Sequence, residues 1–127
     1  MGSYNKNKGR NNSGRFVKLD YWLLDSLAWQ SLSHTARALY IIFKQRYNGS
    51  NNGQIHMSVR EAKDVLSCAP GTASKAIQEL VDRGFIQYRF KGKFSHRVHR
   101  ASEFILTEHK CHDCLATKDF MKWRPEQ

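Results

Sequence analysis

The stretch SVREAKDVLSCAPGTASKAIQELVDRGFI, residues 58–86, decides how this chain folds. Ser58 is a strong helix N-cap, and Glu61 three residues later completes a capping box. Val59, Ala62, Val65 and Leu66 give the helix that follows an inner face. Ser67-Cys68-Ala69 makes a tight connection. Pro70 has no N–H to lose and so suits the first position of a second helix. That helix carries a clean apolar stripe of Ala73, Ala76, Ile77, Leu80 and Val81, and Gly84 marks a left-handed C-cap. Two helices of about 8 and 13 residues joined by three residues have the spacing of a helix-turn-helix unit.

Working upstream, Gln54-Ile55-His56-Met57 reads as a short strand, preceded by the turn Asn48-Gly49-Ser50-Asn51-Asn52-Gly53. Ser33 opens a helix whose Ala36, Leu39, Tyr40, Phe43 and Tyr47 share one buried face. Before it, Asp20 caps a short helix carrying Tyr21, Trp22, Leu23, Leu24 and Leu27. Downstream, Phe85–Phe90 alternates like a strand, Lys91-Gly92-Lys93 turns it, and Ala101–Thr107 returns with Phe104 and Leu106 on one face. The order helix, helix, strand, helix, turn, helix, strand, basic turn, strand predicts a mainly α fold with a small antiparallel β wing, a winged helix-turn-helix. Residues 1–15 read as a flexible basic arm, 16–108 as the winged helix-turn-helix domain, and 109–127 as a tail that packs back through Phe120, Met121 and Trp123.

Charge points to the partner. Over 127 residues, 21 Lys and Arg face 11 Asp and Glu, for a net charge of +10. Two acid-free segments carry the whole excess: residues 1–18 (Lys6, Lys8, Arg10, Arg15, Lys18) and residues 85–100 (Arg89, Lys91, Lys93, Arg97, Arg100). A localised excess of this kind attracts a polyanion. No apolar run approaches the roughly 18 residues of a membrane-spanning helix, and no signal-like stretch opens the chain. Three cysteines make no even disulfide framework, which reads as a reducing compartment. The expected setting is cytoplasmic and nucleoid-associated, with no membrane partner.

The second helix of the unit has two-faced chemistry. Opposite its apolar stripe lie Gly71, Ser74, Lys75 and Gln78, with Thr72 at the flank, all in the first two turns. Small residues allow close approach, Lys75 brings charge, and Gln78 has the bidentate geometry that reads adenine. This helix, Pro70 to Arg83, is expected to enter the major groove of double-stranded DNA. Ser58 and Arg60 are expected to anchor a neighbouring phosphate. Lys91, Lys93 and Arg97 of the wing, with Lys6, Lys8, Arg10 and Arg15 of the arm, supply the salt-dependent term. The first helices could pair two copies of the chain into a homodimer, which would set half-site centres about ten base pairs apart.

The same stretch, from Ser58-Val59-Arg60-Glu61 through Leu80-Val81-Asp82-Arg83-Gly84-Phe85-Ile86, resembles the DNA-reading part of GntR-type and related bacterial winged-helix regulators. Three further stretches are similar to those of small proteobacterial helix-turn-helix proteins: Ala28–Leu32, Arg46–Gly53 and Ala116–Trp123. The resemblance implies a sequence-specific DNA-binding protein, with transcriptional regulation as its role. Replication initiation, or plasmid or phage maintenance, is the neighbouring reading. A protein-interaction module whose basic face meets an acidic partner is the reading from a different class. The large effector domain of GntR proteins has no counterpart here, so ligand-controlled repression does not carry over.

Other motifs weigh less. Cys111-x-x-Cys114, with His109 and His112 interleaved, has ligand types for zinc. No second pair follows at the usual spacing, and the expectation is a packed or solvent-facing pair with no metal. Lys91-Gly92-Lys93 lacks the spacing of a phosphate loop, and no nucleophile–base arrangement or carboxylate cluster can be placed. The chain is expected to be no enzyme and to need no cofactor.

Overall fold

The computed structural model describes residues 14–94 and 99–125. Among the described residues it contains five α-helices, a three-stranded antiparallel sheet and a two-stranded pair. The helices are α1 (Tyr21–Leu24), α2 (Leu27–Ser31), α3 (His34–Arg46), α4 (Val59–Leu66) and α5 (Pro70–Asp82). The strands are β1 (Ile55–Met57), β2 (Ile86–Phe90), β3 (Lys93–Phe94), β4 (His99–Arg100) and β5 (Ser102–Leu106). A 3-10 helix, Asp119–Lys122, follows.

The caps behave as local chemistry demands. The Ser58 hydroxyl accepts from the Glu61 N–H, while the Glu61 carboxylate accepts from the Ser58 N–H. Ser67 ends α4 in the left-handed region at φ 53°, which turns the chain sharply enough for Pro70 to start α5 three residues later. At the far end of α5, Gly84 takes φ +86°. The Phe85 N–H then reaches back to the Leu80 carbonyl and the Gly84 N–H to that of Val81, both halves of a Schellman cap.

The sheet has the order β1-β5-β2. Its inner face joins α3 and α5 in one core, where Leu39, Tyr40, Phe43, Met57, Ala73, Leu80, Phe85, Phe104 and Leu106 are buried. Phe43 meets Phe104 edge-on, and Tyr40 tilts against Phe85. The tail closes over this core. Phe120 is fully buried, stacked on Phe85 at 4.7 Å and on Trp22 at 5.9 Å between ring centroids.

Four expectations are corrected. The N-terminal helix is two helices: the Asp20 side chain makes no cap bond, and the chain breaks at Asp25-Ser26. Ser26 restarts it, accepting from the Trp29 N–H while donating to the Leu23 carbonyl. Of Tyr21, Trp22, Leu23, Leu24 and Leu27 only Leu23 is buried, and Tyr21 is 84% exposed. In α4, Ala62 is buried but Val59 and Val65 are exposed. At about 100° per residue each stands roughly 60° to one side of Ala62, outside the narrow stripe that eight residues can press against α3 and α5. The basic turn also moves. Pairing continues past Gly92 into β3 and β4, with Lys93 opposite Arg100 and Phe94 opposite His99, so the chain has not reversed at Lys91–Lys93. The fourth concerns sulfur: Cys111 and Cys114 are joined as a disulfide, and Cys68 is the free cysteine. A Cys-x-x-Cys loop can close on itself, so an odd total does not exclude a bridge.

Candidate nucleic-acid interface

The outward face of α5 is the most chemically coherent surface of the described residues. Ala73, Ala76, Ile77 and Leu80 are buried beneath it, whereas Gly71, Thr72, Ser74, Lys75 and Gln78 are all exposed. Positions 71, 74, 75 and 78 follow the i, i+3, i+4, i+7 spacing of one helix face. The N-cap, Ala69, has no side-chain oxygen, so the first-turn N–H groups of α5 are uncapped by any side chain. The Gln78 amide donates one N–H to the Asp82 carboxylate at 2.9 Å, which leaves its second N–H and its carbonyl oxygen for another partner. Glu79 is turned away from this face. Its carboxylate accepts from the Ser33 N–H at 2.9 Å, tying α5 to the start of α3.

Arg60, in the first turn of α4, is exposed. Ser58 is half-buried with its hydroxyl held in the capping box. Lys91 is exposed, its ammonium 5.3 Å from the centre of the Tyr88 ring. Tyr88 in turn packs on Phe104 at 4.7 Å, and burial raises its phenol pKa above the ordinary value. Lys93 belongs to β3, and Arg15 is exposed near the start of the described chain. Lys6, Lys8, Arg10 and Arg97 lie outside the described residues. The fold thus places the α5 set on one surface, Arg60 on the preceding helix, and Lys91 at the exit of β2.

Three features escaped the sequence reading. Lys44 and Glu108, both buried, form an ion pair at 2.7 Å, and the Tyr40 hydroxyl donates to the same carboxylate oxygen at 2.8 Å. Burial, then the Glu108 charge, pushes the Tyr40 phenol well above its usual range. Lys44 also lies 3.1 Å from His109 Nε2, and burial with the Lys44 charge lowers the His109 pKa. A signal existed: Lys44 is four residues after Tyr40, on the inner flank of α3. The second feature is Asn52, whose side chain bonds the Leu106, His109 and Lys110 carbonyls and accepts from the Leu106 N–H. Inside a polar turn it looked like any other turn residue. The third is Arg89, paired bidentately with Asp113 at 3.1 and 3.2 Å across 24 residues, which no local pattern announces.

Cys111, Asp113 and Cys114 bring donor atoms within 4.8 Å of one another, but the two sulfurs are bonded together and offer no thiolate pair to a metal. No helix among the described residues is long and apolar enough to cross a membrane. No family model, curated protein or solved structure matches the chain.

Proposed function

We propose that this chain is a winged helix-turn-helix protein that binds double-stranded DNA in a sequence-dependent way and regulates transcription. One observation carries the reading. Every residue of the Gly71, Thr72, Ser74, Lys75, Gln78 set faces solvent on α5, while the opposite stripe of the same helix is buried. In this reading α5 lies in the major groove, where Lys75 suits guanine acceptors and the Gln78 carbonyl and second N–H suit adenine. The uncapped first turn of α5 and Arg60 approach the flanking phosphates. The hairpin that leaves β2 acts as the wing, with Lys91 and Lys93 adding contacts that are blind to sequence. The helix–strand–helix–turn–helix–strand order and the β1-β5-β2 sheet support this reading. Pairing of two copies through the first helices belongs to the same proposal and predicts a palindromic site.

The test is duplex binding across a salt series, with selection of bound fragments from random sequence. An enriched motif, with affinity falling steeply in salt, is the expected result. Absence of duplex binding at low salt refutes it.

A further inference from the structure

We propose that Cys111–Cys114 is a reversible thiol–disulfide site, opened by a dithiol reductant, and that its state decides whether Asp113 holds Arg89. The effect on DNA rests on the function proposed above; the redox site does not.

The bridge is poorly placed to act as a staple. It closes a loop of only three residues' separation, so it removes little entropy from the unfolded chain. The segment is in any case anchored elsewhere. Asn52 holds the His109 and Lys110 carbonyls, Tyr47 stacks on His109 at 4.3 Å, and the Lys118 N–H donates to the Thr107 carbonyl. The bridge is also reachable. It lines a surface cavity of about 560 Å³ with Tyr47, Asn52, Lys110 and His112. Cys111 is buried there and Cys114 only partly so. Lys110 and His112, both exposed, flank the pair on the rim of that cavity.

What the bridge holds is specific. Asp113 sits inside the four-residue loop, with Oδ1 3.6 Å from Cys111 Sγ, and both carboxylate oxygens accept from Arg89. Arg89 keeps the Asp113 carboxyl below its ordinary range. On its side, Arg89 is the extra residue of a β-bulge: Tyr88 pairs with Phe104 and Phe90 with Glu103, leaving Arg89 without a ladder partner. Bulges re-aim side chains. This one leaves a guanidinium beside Gly53, next to the cysteine loop. Both partners of the ion pair are substantially exposed, so the pair by itself adds little to stability and a small shift of the loop is enough to part it.

The chemistry balances without a metal. A thiolate of the dithiol attacks the Sγ of Cys114, the more exposed cysteine; the S–S bond breaks and Cys111 leaves as thiolate. The second thiol of the reductant attacks the mixed disulfide and releases Cys114. The reductant becomes a cyclic disulfide, and its two protons end on the two protein sulfurs. With the loop open, Arg89 is free to reach a phosphate beside Lys91.

The experiment uses the full chain equilibrated in dithiothreitol redox couples under native conditions, quenched in acid, alkylated and weighed. Circular dichroism confirms that both forms stay folded. Alkylated cysteines are expected to rise from one, Cys68, to all three. One extra phosphate contact steepens the logarithmic salt slope by about 0.9, so the reduced form should bind duplex about eightfold more tightly at 0.1 M salt. Asp113→Asn should bring the oxidised form to the reduced affinity. A bridge that yields only when the protein unfolds overturns the redox site; two folded forms with equal DNA affinity overturn the link to Arg89. If neither form binds duplex, the DNA reading fails alone. The thiol count, with the Arg89 guanidinium NMR signal in each form, then decides the redox site.

Discussion

Replacing Gly84 by alanine probes the hinge between α5 and the sheet. Two costs follow from the geometry. At φ +86° an L side chain is strained by about 1–2 kcal/mol. An added Cβ would also lie 2.8 Å from the Asp119 carbonyl carbon and 2.8 Å from the Phe120 nitrogen. Both are backbone atoms, so no rotamer relieves the clash and the tail must move. Moving it disturbs Phe120, fully buried between Phe85 and Trp22, whose burial is worth about 1.5–3 kcal/mol. The sum is about 2.5–5 kcal/mol, a large share of the roughly 5–15 kcal/mol that domains possess. Gly71→Ala is the matched control: it has nothing within 4 Å and lies inside α5, where alanine should stabilise by up to about 1 kcal/mol. Urea unfolding followed by circular dichroism and tryptophan fluorescence reads both. With a slope of about 1.5 kcal/mol/M, Gly84→Ala should lower the midpoint by roughly 2–3 M, and Gly71→Ala should leave or raise it. A loss below about 1 kcal/mol at Gly84, or an equal loss at Gly71, would refute the close approach of the tail to this turn.

Further outcomes are expected. Lys75→Ala should weaken binding to the preferred duplex by about 1–3 kcal/mol and relax its sequence preference, whereas Lys91→Ala should weaken all duplexes alike and flatten the salt slope by about 0.9; a Lys75→Ala protein with unchanged selectivity sinks the groove assignment. Glu108→Ala should cost about 3–5 kcal/mol in chemical denaturation, because it strands the Lys44 ammonium in the core; combining it with Lys44→Met should recover much of the loss. His109 has a folded pKa below its unfolded value, so its contribution is complete above the unfolded pKa of about 6.5 and is lost as pH falls through the folded one. Stability should therefore decline on acidification below neutrality, and His109→Gln should flatten that decline; an identical pH profile in the variant would exclude His109 as its source.

The parts of the fold that were legible share one property: their cause lies within a few residues of their effect. Ser58 and Glu61 cap α4 from three positions apart, and Gly84 takes the left-handed turn that α5 needs in order to stop. The alternation of buried and exposed positions along α5 needs only the helical repeat, so its whole candidate surface could be named in advance. In α1–α2 the local argument failed, because Asp25-Ser26 breaks a pattern that reads as one helix and Ser26 supplies the better cap. The wing turn failed for a different reason. Lys91-Gly92-Lys93 has turn composition, but strand pairing beyond it is decided across the hairpin by residues 99 and 100.

The sequence by itself determined the run from α3 through β2, the outward polar face of α5 and the two basic segments, because periodicity, capping and charge are properties of neighbours. Only the tertiary structure decided that Lys44 meets Glu108 across 64 residues, that Asn52 ties down the segment after β5, and that Asp113 captures Arg89 across 24. These contacts join side chains with no common period or spacing, brought together once the sheet has set its register and the tail has closed over Gly84. Their energies depend on burial and on distances of about 3 Å, and a linear chain has neither until it folds.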